Sequence, residues 1–242
     1  MPHSPGVAAP ALLRDERHGP LPALLLVLTG VTGVVDAVSF LKLGHVFVAN
    51  MTGNVVFLGF AIGGATDLSF FASLAAIIAF VAGALGGGQL ASRMGRHRGQ
   101  LLAVATYVEM ALIAVALVAS MFGSGTDDPT TQYTLIVLLA LAMGLQNAAA
   151  RRLAVPDLTT TVLTLTLTGL AADSPLAGGK NANSARRLMA TVTMLVGAGV
   201  GAVLIFQVGV SAALAAALAL LVFNGLVVYR LSSSTDAWTV GT

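Results

Sequence analysis

Apolar residues run along this chain in eight blocks separated by short polar or Gly/Pro-containing breaks. The blocks cover 21–41, 46–64, 69–92, 100–123, 133–150, 156–172, 186–206 and 209–229, lettered here A to H. A hydrocarbon layer of about 30 Å takes roughly 20 helical residues. A, C, D, G and H meet that length, and E is adequate. B (VFVANMTGNVVFLGFAIGG) and F (PDLTTTVLTLTLTGLAA) are short and interrupted by Asn, Gly or a Thr cluster, which suits broken or re-entrant segments rather than lipid-facing spans. Residues 1–20, with four prolines and Arg14-Asp15-Glu16-Arg17, read as a flexible tail. The arginines before LPALLLVLTG imitate a signal peptide, but the apolar run continues to Phe40 without a small-residue cleavage site. Residues 231–242 read as a polar tail.

Composition turns this pattern into a class. Only 9% of the 242 residues are charged and 57% are apolar, whereas a soluble domain carries roughly 25% charged residues. The mean hydropathy is +0.91. A soluble enzyme, a disordered chain and a disulfide scaffold are excluded, and an integral membrane protein in a lipid bilayer remains. The pI of 9.4 reflects few charges, not a basic face for nucleic acid. With no Cys, a disulfide or thiolate metal site is excluded. HExxH, GxSxG and a complete phosphate loop are missing, so neither enzymatic chemistry nor a cofactor is expected.

The basic residues choose the topology, because cytoplasmic loops collect Lys and Arg. If all eight blocks cross, the twelve basic residues divide six to six. If B and F enter and leave on one side, eleven share a face and Lys42 alone lies opposite. Six spans with both tails cytoplasmic is the better solution.

The order A-B-C-D also matches E-F-G-H. GVVDA at 33–37 aligns with GLQNA at an offset of 111, and VANMTGNV at 48–55 with VPDLTTTV at 107. FVAGALGGG at 80–88 aligns with LVGAGVGAV at 115. Three spans per half is an odd number, so the second half must be inverted. The fold class predicted is therefore all-α, with six transmembrane helices and two broken segments in a 3+3 inverted repeat. The first membrane repeat occupies 21–123 and the second 133–230. Short interrupted segments at matching positions of two halves point to a transporter's central site.

Three acids lie in or beside apolar blocks, and each matches an amide in the other half: Asp36 with Asn147, Glu109 with Asn224, Asp157 with Asn50. A carboxylate inside a bilayer costs at least about 2.5–3.5 kcal/mol on insertion scales, so it normally faces a cavity or a partner. Substrate-contact candidates are Asp36, Asn50, Thr52, Asn54, Gln146, Asn147, Asp157, Thr159 and Thr160, with Thr161 and Thr164 beside them. Glu109 and Asp36 are candidates for proton coupling. Plainer roles compete with these. Asp157 and Asn50 suit helix N-caps, Asp36 could neutralise Lys42, and Glu109 could be a protonated carboxyl between helices. Gln146 and Asn147 could be packing glue, while the threonines could satisfy broken backbone. His45 beside Phe47 suits the membrane interface. Gly83xxxGly87 and Gly197xxxGly201, with Ala82, Gly86 and Ala198, predict close helix approach.

The stretches TGVVDAVSFLKLGHVFVANMTGNVVFLG (32–59) and GLQNAAARRLAVPDLTTTVLTLTLTGLA (144–171) resemble the paired signatures of the YoaK-like family of small bacterial inner-membrane proteins, a domain of unknown function. The likeness covers roughly 21–230. It implies a six-helix plasma-membrane protein and brings no substrate or catalytic residue with it. Function at this stage rests on the polar residues: a transporter of a small solute or ion, which negative groups without an intramembrane base bias toward cations or neutral molecules. A channel or a membrane scaffold would use the same side chains as a pore lining or as packing. A homodimer is compatible with so small a bundle.

Overall fold

The computed structural model describes residues 13–14, 17–65, 67–94, 96–156, 158, 163–179 and 183–240. Among them are six helices long and apolar enough to cross a membrane: α1 (Leu21–Lys42), α3 (Phe70–Met94), α4 (Arg98–Phe122), α5 (Pro129–Leu153), α7 (Ser184–Gln207) and α8 (Val210–Leu231). At 1.5 Å per residue, their 22 to 25 residues reach about 33–38 Å. Two shorter apolar helices lie among the described residues, α2 (Met51–Ile62) and α6 (Leu163–Ala172). Their 12 and 10 residues reach only about 18 and 15 Å, half a membrane at most. Block B thus becomes an irregular stretch followed by a half-length helix, and block F contributes a half-length helix from Leu163. The described residues contain no strand, and His97 and Val240 form an isolated antiparallel bridge.

Local chemistry sets several helix starts. Asp128 caps α5 by accepting from the Thr131 N–H at 2.9 Å, with Pro129 in the first turn. The His97 ring caps α4 by accepting from the Gln100 N–H at 3.1 Å. Ala154 ends α5 in the left-handed conformation, φ 51°.

Glycines decide the tightest packing. α3 lies against α5 and α1 against α7. A methyl at Gly83 would fall on the Leu141 carbonyl, one at Gly87 on Leu145, and one at Gly144 on the Phe80 carbonyl. In the other pair, a methyl at Gly197 would fall on the Gly30 carbonyl, and one at Gly33 would stand 2.5 Å from the Met194 oxygen. Gly201 meets Val34. These are backbone-to-backbone approaches that any side chain would wedge apart, and they give helices in lipid their van der Waals adhesion. Gly86, predicted to join them, has nothing within 4 Å of its Cβ position.

Numbers rise together along both glycine clasps, so α1 runs parallel to α7 and α3 parallel to α5. α4 and α8 run antiparallel: the Tyr107 hydroxyl donates to the Gly225 carbonyl and Ser120 to Ser211. Eight alternating crossings would make α4 and α8 parallel, and seven would make α1 and α7 antiparallel. Six crossings satisfy both observations.

Contacts at one end of the bundle agree. Arg98 Nη1 donates to the Arg17 carbonyl at 3.3 Å, and His97 Nε2 lies 3.0 Å from the Ser234 carbonyl oxygen. Trp238, buried, covers Gly19, where φ is +54° and a side chain would strike the indole. The two tails and the α3–α4 connection therefore share a face. Parts of both tails pack onto the bundle at this end. His18, Trp238 and Thr239 are buried, with the Trp238 ring against Gly19.

Candidate functional site

The first candidate region is the break between α1 and α2. Asp36 lies in the fifth turn of α1, buried at 6% exposure. Its Oδ1 accepts from the Val48 N–H at 3.2 Å and the Ala49 N–H at 2.9 Å. Asn54, fully buried on α2, accepts at Oδ1 from the Phe47 N–H at 2.9 Å and donates from Nδ2 to the Phe47 carbonyl at 2.5 Å. Three successive N–H groups of the irregular stretch are thus held by two side chains. Backbone that leaves a helix at membrane depth must find such partners. The aromatic rings of Phe40, Phe47 and Phe57 close over the break, with Phe40 and Phe47 stacked at 5.0 Å, and His45 meets the edge of Phe40 at 5.3 Å.

Several sequence expectations change here. Asp36 is engaged by backbone rather than by Lys42. Asn50 occupies the N-cap position of α2, yet its side chain makes no cap hydrogen bond and is exposed. Asp36 instead reaches across from α1 to hold the two residues just before that N-cap, Val48 and Ala49, and so fixes the entry into α2. Thr52 is exposed, on a helix whose outer face also shows Val55, Val56 and Phe60. Asn54 joins Asp36; Asn50 and Thr52 do not join them in a closed site. Asp157, Thr159 and Thr160, with Thr161, lie outside the described residues. Thr164 is exposed and its carbonyl accepts from the Thr168 hydroxyl.

The second region is the centre of the bundle. Gln146 Nε2 donates to Thr32 Oγ1 at 2.9 Å, and the Thr32 hydroxyl donates to the Leu28 carbonyl. This joins α1 to α5, the packing role weighed for Gln146. The half-buried Asn147 bonds the Met143 carbonyl of its own helix at 2.8 Å. Glu109 and Thr106 on α4, and Asn224 on α8, are at most 1% exposed. Glu109 Oε1, Thr106 Oγ1, Gln146 Oε1 and both side-chain polar atoms of Asn224 have no hydrogen-bond partner. Thr32 and Thr106 were missed by sequence reasoning. Thr106 carried one signal, its place a single turn before Glu109 on the same helix face. Among the described residues no group of three His, Cys, Asp or Glu could hold a metal.

A family model described as a protein of unknown function (DUF1275) matches residues 24–227. The chain belongs to that family. Its match takes in every spanning helix and both half-helices, so the architecture above is a family member's nearly from end to end. The UPF0700 transmembrane protein YoaK of Bacillus subtilis (strain 168) is 38% identical over 151 residues, 62% of this chain. The match spans 65% of that relative's length. No solved structure matches. Together with the six apolar helices, the transmembrane relative makes this a multi-pass membrane protein.

Proposed function

We propose that the chain is a small transporter of inverted-repeat design in the bacterial inner membrane, moving a small solute or ion past a polar site between its two halves. The observation that carries the reading is the set of unpartnered polar atoms on Thr106, Glu109, Gln146 and Asn224, buried where spanning helices cross. Polar groups at that depth are expensive and normally mark a pathway. The pairing of helices supports the repeat. Exchanging the halves turns α1–α7 into α5–α3, α1–α8 into α5–α4 and α2–α3 into α6–α7, and each of these is a packed pair. It also turns the contact of Gly83 with Leu141 into that of Gly197 with Gly30. The arginine-bearing α3–α4 connection beside both tails supports a cytoplasmic location for that face.

A second reading, a membrane scaffold, draws on Asp36 and Asn54, which between them hold the backbone of Phe47, Val48 and Ala49 in the break. Uptake of a metabolite mixture into proteoliposomes separates the readings. A transporter gives saturable, substrate-selective uptake over protein-free vesicles, and Glu109→Gln lowers it about tenfold, the equivalent of ~1.4 kcal/mol. Ohmic current would identify a channel instead. Wild-type uptake in a folded Glu109→Gln protein would remove Glu109 from the pathway.

A further inference from the structure

The unpartnered polar atoms at the bundle centre lie on α4 and on the two helices packed against it, α5 and α8. A methyl at Gly225 of α8 would meet Thr106 Cγ2 at 3.8 Å and the Met110 sulfur at 3.2 Å, so this turn of α4 abuts α8. One residue earlier, Ala105 packs with Leu145 and Ala149 of α5. Ala105 and Thr106 therefore mark the directions of the two neighbouring helices. Glu109, four residues past one and three past the other, projects into the angle between them. Asn224 adjoins Gly225 in α8, and Gln146 adjoins Leu145 in α5. The bond to Thr32 fixes the Gln146 nitrogen, leaving its carbonyl oxygen as the open group.

The open atoms are four oxygens, on Thr106, Glu109, Gln146 and Asn224, against one nitrogen, that of Asn224. The surplus is lone pairs, and the complementary guest takes several at once. A carboxylate, a hydroxyl and two amide carbonyls form an all-oxygen set suited to a hard cation. A single carboxylate balances a single positive charge, and a neutral site is the cheapest to keep in hydrocarbon. We propose that the angle between α4, α5 and α8 is a binding site for a dehydrated sodium ion, held by Glu109, Thr106, Gln146 and Asn224. This rests on the transport reading only for its purpose, where sodium would be the coupling ion or the cargo. Binding itself can be measured without flux.

The test uses the full chain in detergent, with thermal unfolding followed in sodium chloride and in choline chloride at equal ionic strength and pH. Sodium at a hundred times its Kd is expected to raise Tm by about 5–10 °C. Glu109→Gln abolishes the rise, and Thr106→Val weakens the apparent affinity about tenfold. Ser120→Ala, which breaks a contact farther along the same helix pair, retains the rise. If Glu109→Gln does not fold, radioactive sodium binding to the wild type and to Thr106→Val decides. Equal Tm in the two salts with no sodium bound would overturn the proposal and assign the site to water or a proton. A sodium response that survives Glu109→Gln would overturn the placement. Sodium binding without uptake of any solute would sink the transport reading and leave the site standing.

Discussion

Asp36→Ala is expected to lose about 2–6 kcal/mol of stability, because it orphans the Val48 and Ala49 N–H groups at once. Each buried donor left without a partner costs about 1–3 kcal/mol. Asp36→Asn separates architecture from function. The amide keeps an oxygen that can face both donors, so the fold survives with a cost of about 1 kcal/mol for the lost charge assistance. If the carboxylate also serves a solute or ion, Asp36→Asn loses uptake about tenfold while remaining folded. Thermal unfolding of the two variants, beside proteoliposome uptake, reads both quantities. Equal stability of the Ala and Asn variants would show that the break is held by something other than Asp36.

The glycine clasps give the second large effect. Gly144→Ala drives a methyl into the Phe80 backbone, where no flexible side chain can yield. Overpacking of this kind costs about 1–3 kcal/mol, and Gly144→Leu is expected to prevent assembly of α3 on α5 altogether. Gly86 is the built-in comparison. It lies in α3 with nothing near its Cβ position, and its replacement by Ala should stabilise by about 0.5–1 kcal/mol through helix propensity. Measured Tm values in the order Gly86→Ala, wild type, Gly144→Ala check the argument. An equal loss at both glycines would show that composition, not the close approach, governs these helices.

The fold was legible in the sequence because lipid imposes one rule on spanning backbone: long apolar blocks become helices, and the two interrupted blocks could not. The basic residues identified the shared face that Arg98, His97 and the tails later revealed. The register of the second pair of helices was not legible to the residue. Sequence likeness aligns block C with block G at an offset of 115, while the equivalent contacts of Gly83 and Gly197 lie 114 apart. A glycine-rich string matches itself almost as well one step away, and only contact with Leu141 and Gly30 decides.

The candidate site was half legible. Exchange of acid for amide marked Asp36, Glu109 and Asn224, but not what each would touch. Asp36 proved to hold backbone twelve and thirteen residues onward, a contact no local pattern encodes. In the sequence alignment of the two halves Ala49 falls opposite Pro156, which has no N–H to offer, and Asp36 opposite Asn147. Thr32 and Thr106 gave little signal, since a threonine in a spanning helix usually bonds its own preceding turn.

Accessibility of single cysteines in a chain that naturally has none tests the six-span arrangement most directly. His45→Cys and Asp67→Cys, on either side of α2, should react with a membrane-impermeant thiol reagent from the periplasmic side of intact cells. Arg152→Cys and Gly178→Cys, flanking α6, should react only after the membrane is opened. Labelling of the two members of either pair from opposite sides would mean that the half-helix between them crosses, and the architecture described here would be wrong.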